Sequence, residues 1–454
     1  MSLQKTIEKY NRPAPRYTSY PTANHFHAGI TQGLYQQWLS DLLESEEVSL
    51  YFHIPFCRKL CWYCGCNMRV VNDNSPLEAY KDILLQEISM VAKAIGRKQK
   101  VSHIHWGGGT PTILEPSQFR EIITHVQNSF DLLPNAEHAI EIDPRVLSKE
   151  KIDTLKEIGV NRASLGVQDF DPDVQEAINR VQSFEQTEQA VTWLRSVGIN
   201  EVNFDLIYGL PLQTEATIRK TVELTKQLGA NRVALFGYAH VPWVKSHQKL
   251  LEKHHLPTAE ERNTMFDIAT EELTKQGYNT IGIDHFALPE DTLSIALNNG
   301  TLHRNFQGYT VDTSNSLIGM GVSSISCLPQ GYAQNDTSTK AYTDCIENAG
   351  FATVKGMSTD TTDHMNRKII EEIMCYFAVD IAKVCTEFEN IPTWQEVLEQ
   401  AMPQLQELID DGFVTVNGSV LTINEEGKML TRIVCACFDT YLVATKGEQH
   451  AKAI

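Results

Sequence analysis

Three cysteines, Cys57, Cys61 and Cys64, are spaced C-x-x-x-C-x-x-C directly after the short apolar run Tyr51-Phe-His-Ile-Pro-Phe. Three thiolates on one tight loop can hold three irons of a [4Fe–4S] cube and leave the fourth iron open to another ligand. A cube that only carries electrons normally takes four cysteines, and a structural zinc site closes with four Cys or His ligands. Cys66 offers a fourth thiol, but with a single residue between it and Cys64 the bite is poor geometry for binding the same cube. A zinc knuckle or a set of redox thiols stays open on spacing alone. A second cysteine pair or a His-x-x-His close downstream would favour zinc, and neither follows.

The elements that must position these thiols show in the periodicity. From Ser49, β-branched or apolar runs at 49–54, 101–106, 138–143, 162–167, 201–207, 232–238 and 279–284 are separated by amphipathic stretches. In 77–95, Leu77, Tyr80, Leu84, Ile88, Val91 and Ile95 recur on one helical face. Strand and helix in alternation predict parallel strands with right-handed crossovers. Six such units fit a partial (β/α)6 TIM-like barrel, an α/β fold whose loops after the strands form the active face.

Polar or glycine-rich groups fall at those strand ends: Trp106-Gly-Gly-Gly109-Thr110, Glu141-Ile-Asp143, Gly166-Val-Gln168, Asp205-Leu-Ile-Tyr208 and Tyr238-Ala239-His240. The glycines let backbone groups approach a charged ligand closely, and they lack the Lys-Ser/Thr of a phosphate loop. Glu141 and Asp205 lie inside apolar runs, where an unpaired carboxylate is costly, so they pair with a core cation or bind polar groups such as ribose hydroxyls. Their position at strand ends favours the second. Arg180 reads by default as a solvated cation at a helix end, and His53, His103, His105 and His240 as satisfied core or loop histidines.

The chain of 454 residues can build a sizeable core, and 39 basic against 57 acidic residues give −18. That balance argues against a nucleic-acid surface or a polybasic membrane patch, so an anionic substrate needs a local basic pocket. Met1–Tyr10 lacks the apolar core of a signal peptide and no apolar stretch is long enough to span a bilayer, so a cytoplasmic protein with ten reduced cysteines is expected. Residues 1–48, with Pro13, Pro15 and Pro21, read as an extended arm with a short helix over 36–43. Residues 49–290 form the barrel and 291–360 connect over its mouth, with 302–335 lacking clean periodicity and reading as an ordinary irregular crossing loop. Residues 361–454 read as a mostly helical, winged-helix-like domain: helices near 364–376 and 393–410, then a hairpin over 412–423 turning at Asn417-Gly418. Glu396, Glu399, Glu407, Asp410 and Asp411 make it a lid or docking domain rather than a DNA reader. Cys435 and Cys437 read as core thiols.

Together the thiol loop, the glycines at 107–109 and the barrel pattern resemble the radical S-adenosylmethionine enzymes. More closely, Pro15-Arg-Tyr-Thr-Ser-Tyr-Pro-Thr22, Tyr51-x-His-Ile-Pro-Phe-Cys57, His105–Thr112, Gly166–Phe170, Arg304-Asn-Phe-Gln-Gly-Tyr-Thr310 and Cys437-Phe-Asp-Thr-Tyr-Leu442 resemble the oxygen-independent coproporphyrinogen III oxidases (dehydrogenases). The resemblance implies radical decarboxylation of two propionates of coproporphyrinogen III to vinyl groups, giving protoporphyrinogen IX in haem synthesis. It implies a [4Fe–4S] cluster on Cys57, Cys61 and Cys64, with Cys66 outside the coordination shell. It also implies one S-adenosylmethionine at Tyr51, Gly108, Glu141 and Ile325, and a second at Tyr63, Gly109, Thr110, Gln168, Arg180, Asp205 and Ala239. No side chain is required as acid or base, so no catalytic residue is assigned. An electron donor, an electron acceptor, a tetrapyrrole substrate and a monomer are expected, with His303 and Arg304 as candidates for holding the tetrapyrrole. Relatives that share the thiol loop act as haem chaperones or haem-opening methyltransferases, and the segments at 304–310 and 437–442 weigh against the chaperone reading.

Overall fold

The computed structural model describes residues 3–442; the ends of the expected arm and C-terminal domain, residues 1–2 and 443–454, lie outside the described residues. Twelve strands form one sheet: β1 Glu47–Ile54, β2 Lys100–Gly108, β3 Asp131–Ile142, β4 Arg162–Gln168, β5 Glu201–Tyr208, β6 Arg232–Gly237, β7 Asn279–Ile281, β8 His285–Ala287, β9 Ser316–Met320, β10 Ile325–Leu328, β11 Gly331–Asn335 and β12 Thr353–Ser358. Their spatial order is β12-β11-β10-β9-β1-β2-β3-β4-β5-β6-β8-β7. Strands β1 to β6 pair in sequence and in parallel, as the alternation predicts.

Helix Ser75–Ile95 shows why the crossovers form. Pro76 sits in its first turn, Gly96 ends it in the left-handed region at φ 77, and its predicted apolar positions are all buried against the sheet. Each later crossover starts on a side-chain cap or capping box, such as Glu115, Ser148, Ser183 and Thr214.

Two stretches depart from the expectation. The run at 279–284 is not a further parallel strand; β7 and β8 form a short antiparallel hairpin that closes the β6 edge. The stretch 302–335 is not an irregular crossing loop. It holds a two-stranded ribbon, His303–Asn305 with Gly308–Thr310, and then β9, which runs parallel to β1, followed by antiparallel β10 and β11.

Beyond the sheet, helices Thr361–Tyr376 and Trp394–Asp410 pack with a three-stranded sheet of Ala378–Asp380, Val414–Asn417 and Val420–Ile423, turning at Asn417-Gly418. This second core includes Cys435 and Cys437 as buried thiols, and it also takes Tyr10, Ala14, Tyr17 and Tyr20 from the arm. The arm's helices are Leu3–Tyr10 and Gln32–Ser40, the latter starting four residues before the expected position because Thr31 caps it. Among the described residues no helix is long and apolar enough to cross a membrane.

Candidate functional site

The period of two along each strand decides which chemistry faces the lumen. Val48, Leu50, Phe52 and Ile54 of β1 pack outward into the main core, so Ser49, Tyr51 and His53 turn inward. On β4 and β5 the same period sends Leu165, Val167, Phe204 and Leu206 outward and leaves Ser164, Gly166, Gln168, Asn203 and Asp205 inside.

The thiol loop leaves β1 at Pro55. Cys57 lies in a two-residue parallel ribbon with Arg69–Val70, its Sγ 3.3 Å from the Thr110 hydroxyl. Cys61 is buried, and its Sγ receives N–H groups from Arg145 at 3.5 Å and Arg180 at 3.6 Å. The Cys64 Sγ accepts the backbone N–H of exposed Cys66 at 3.4 Å. A hydrogen bond from the Cys66 thiol pulls Cys64 down to about 6, whereas burial pushes Cys57 up to about 12.

The donor set fits an iron–sulfur cluster. Soft sulfur ligands with N–H groups aimed at them suit thiolates that carry charge onto iron. Among the described residues no three His, Cys, Asp or Glu side chains crowd one point so as to hold a single ion. Each of the three sulfurs has a polar neighbour of its own: the Thr110 hydroxyl, the two arginines and the Cys66 N–H.

Around the loop the expected residues fall into neighbouring groups. Glu141 accepts the Gly108 N–H at 3.3 Å and lies 3.4 Å from His105 Nε2. Tyr51 stacks on His105 with ring centroids 5.9 Å apart, and its hydroxyl lies 3.1 Å from His53 Nδ1. Ile325, the first residue of β10, flanks the same small apolar cluster as Tyr51. The Gly109 N–H donates to the Ile54 carbonyl at 2.8 Å, and a Cβ at Gly109 would stand 2.8 Å from the Phe56 carbonyl oxygen, so only glycine lets β2 close onto the thiol loop.

Towards β4 the centre is Arg180. Contrary to the expected solvated cation, it is buried at 6 % exposure, donates to the Gly166 carbonyl at 2.5 Å and lies 3.4 Å from Asp143. Its Nε is buried without a hydrogen-bond partner among the described residues. Burial would raise Asp143, but Arg180 and Arg145 hold its carboxyl at about 2. Gln168 ends β4 at φ 70 after a register shift, and Gly166 leaves space for both its side chain and Arg180. Asp205 accepts from Ser164 at 2.9 Å and Asn203 at 2.8 Å, and burial together with the Glu141 charge pushes it to about 6.

Tyr63 packs in a small cluster with Trp62 and Tyr238, beneath the segment that follows β6. That segment grips the thiol loop through its carbonyls: Lys245 Nζ donates to Cys66 O at 2.8 Å, His247 Nε2 lies 2.8 Å from Cys64 O, and Gln248 donates to Tyr63 O at 2.9 Å. Ala239, next to Tyr238, lies on the wall of a cavity of about 850 Å³. The arm supplies Pro13 and Arg16 to this cavity, the barrel Tyr208 and Trp243, and the C-terminal part Phe413 and Arg432. Of the two candidate tetrapyrrole contacts, Arg304 lines the cavity, whereas His303 is engaged by Glu371 at 3.2 Å. Sequence reasoning missed Arg145, His247, Gln248, Arg16, Arg262 and Arg432. Two carried a signal: Arg145 lies two residues beyond the strand-end Asp143, and Arg16 stands in the arm motif Pro15–Thr22.

A family model described as the radical SAM superfamily matches residues 51–225. The chain is 46% identical over 440 residues to an oxygen-independent coproporphyrinogen III oxidase of Bradyrhizobium diazoefficiens, covering 97% of both chains. It is 39% identical to the protein of that name from Paracoccus denitrificans, over the full length of both. A solved structure of coproporphyrinogen III oxidase from Escherichia coli, described as a radical SAM enzyme, superposes with a TM-score of 0.90 at 35% identity, covering 96% of this chain and 98% of that one.

Proposed function

This chain belongs to the oxygen-independent coproporphyrinogen III oxidases of the radical SAM superfamily, and from that premise we propose how its own residues carry the reaction. It is an oxidoreductase of haem biosynthesis that converts two propionate side chains of coproporphyrinogen III to vinyl groups. When bound, a [4Fe–4S] cluster with S-adenosylmethionine supplies radical chemistry that removes a hydrogen atom from a propionate β-carbon so that the carboxyl group leaves as carbon dioxide.

Cys57, Cys61 and Cys64 hold the cluster, and the Arg145 and Arg180 N–H groups on Cys61 stabilise its thiolate. Tyr51, Gly108, Glu141 and Ile325 orient the first S-adenosylmethionine, with the carboxylate of Glu141 turned into the lumen. A second molecule takes Tyr63, Gly109, Thr110, Gln168, Arg180, Asp205 and Ala239. Polar groups gather around both Glu141 and Arg180, which supports two positions, and Arg180 Nε, without a hydrogen-bond partner among the described residues, offers one a buried donor. The arm expected over 1–48 and the domain expected over 361–454, as far as residues 3–48 and 361–442, close the mouth of the barrel over 49–290, with 291–360 between them, and exclude water from the radical. An external one-electron donor and an acceptor complete each round. A monomer working in the reducing cytoplasm suits ten unpaired cysteines.

The observation that carries this reading is the placement of three thiols, each with its own polar neighbour, on the loop at the carboxyl end of β1. The test is anaerobic reconstitution with iron and sulfide, followed by coproporphyrinogen III, S-adenosylmethionine and a strong reductant. A brown protein, two S-adenosylmethionine molecules per chain by equilibrium dialysis, and two successive losses of formic-acid mass from the substrate are expected. Haem retained without that loss, or a colourless protein free of acid-labile sulfide, overturns the reading.

A further inference from the structure

Four guanidinium groups meet at the cavity beside the barrel's carboxyl end: Arg16 from the arm, Arg262 from the helix Ala259–Lys275, Arg304 from the ribbon before β9, and Arg432 from the helix Thr431–Ala436. In a chain of net charge −18 this is a concentrated positive field. The other carboxylates on the cavity, Asp267, Glu425 and Glu426, are exposed and water-screened, so among the described residues Asp284 is the one sheltered counter-charge. Asp284 is engaged by His285 at 2.7 Å and reaches Arg304 only at 4.0 Å.

Of these groups, Arg304 and Arg262 are built in and under-used, while Arg16 reaches the cavity from an exposed position. The Arg304 side chain is 5% exposed, yet its Nε and Nη1 have no hydrogen-bond partner among the described residues, and neither does the buried Nε of Arg262. The strand ends are shaped to admit Arg262: a Cβ at Gly209 would stand 3.0 Å from its Cγ and Nε, and one at Gly237 3.0 Å from its Nη2. Arg432 donates to the Ala14 carbonyl at 3.2 Å, and burial with the nearby Arg16 and Arg262 charges lowers it to about 10. Like charges held together with buried donors unfilled await an anion with several oxygens, which arginine recognises in bidentate fashion.

We propose that Arg262 and Arg432, flanked by Arg16 and Arg304, form the anchoring subsite for the propionate carboxylates that the reaction leaves intact. The inference rests on the tetrapyrrole reading above and adds to it the side of the cavity that holds the non-reacting rings. Anchored on the β5 and β6 side, the macrocycle presents a reacting propionate across the lumen towards Tyr51 and Glu141.

The test uses reconstituted full-length protein and the fluorescent oxidised form, coproporphyrin III, as probe, beside its tetramethyl ester. Expected for R262Q and R432Q is a roughly tenfold weaker coproporphyrin III affinity each, with ester binding, iron content and S-adenosylmethionine affinity unchanged. R262K recovers part of the loss, which a misfolded site would not do. Equal affinity of wild type and both glutamine variants for coproporphyrin III overturns the assignment while leaving the tetrapyrrole reading standing. So does a loss confined to S-adenosylmethionine, the other carboxylate-bearing ligand. Failure of the wild type to bind coproporphyrin III at all overturns the tetrapyrrole reading and the subsite with it.

Discussion

Asp205 shows what a single buried carboxyl does at this site. Its folded value stands near 6 against an ordinary 3.8, raised by burial and then by Glu141. A raised carboxyl costs nothing below pH 4, where it is protonated folded or unfolded, and its cost grows as pH rises through about 6. Asp205→Asn is therefore expected to gain roughly 1–2 °C in melting temperature over wild type on going from pH 5 to pH 7.5 without ligand. Calorimetry at the two pH values checks this, and a constant difference would refute it. Gly109→Ala sets a methyl group against the Phe56 backbone, where strain of about 1–3 kcal/mol is expected together with loss of the cluster's absorbance. The thiols, Glu141 and Asp205 were legible because sulfur in close register and carboxylates in apolar runs have few structural explanations. Arg180 was placed by resemblance and not by its surroundings. Arg262 and Arg432 were illegible, since a lone cation on a helix reads as solvated until the fold buries it.

Among elements, the segment after β6 is the least regular and among the most consequential. Through Lys245, His247 and Gln248 it holds the carbonyls of Cys66, Cys64 and Tyr63 in the thiol loop, while its Trp243 and Ala239 line the cavity. The double variant His247→Ala, Gln248→Ala is expected to leave the fold intact and to bleach its cluster in air roughly threefold faster, because local opening of the loop costs less. Following cluster absorbance against time in air decides it, and wild-type decay would show the grip to be incidental. Periodicity revealed β1 to β6 and the Ser75–Ile95 crossover, since buried faces there repeat over many residues. It missed β9 to β11, which are four or five residues long, rich in Gly and Ser, and buried on both sides so that alternation vanishes. Periodicity also says nothing of direction, which is why β7 and β8 turned out antiparallel.

At the scale of the whole molecule, the barrel was readable and its closure was not. The proline-rich arm and the helical domain each looked like a separate appendage, yet they share one apolar core. Tyr17 donates to Asp439 at 3.1 Å, Tyr20 lies 3.0 Å from the Thr440 hydroxyl, and Tyr10 meets Phe413 edge-on at 5.9 Å. Tyr17→Phe leaves a buried carboxyl without this donor and is expected to cost about 1–3 kcal/mol, read as a lower denaturation midpoint at unchanged slope. An unaltered midpoint would mean that the arm is held by packing alone.

The join between Tyr17 and Asp439 spans 422 positions of chain. A ribosome exposes the first of these residues long before it finishes the second, so the nascent arm waits unclasped while the thiol loop is already outside the tunnel. Until the second emerges, the arm's tyrosines lack the C-terminal half of their shared core, so the cover over the barrel is among the last parts of the molecule to form.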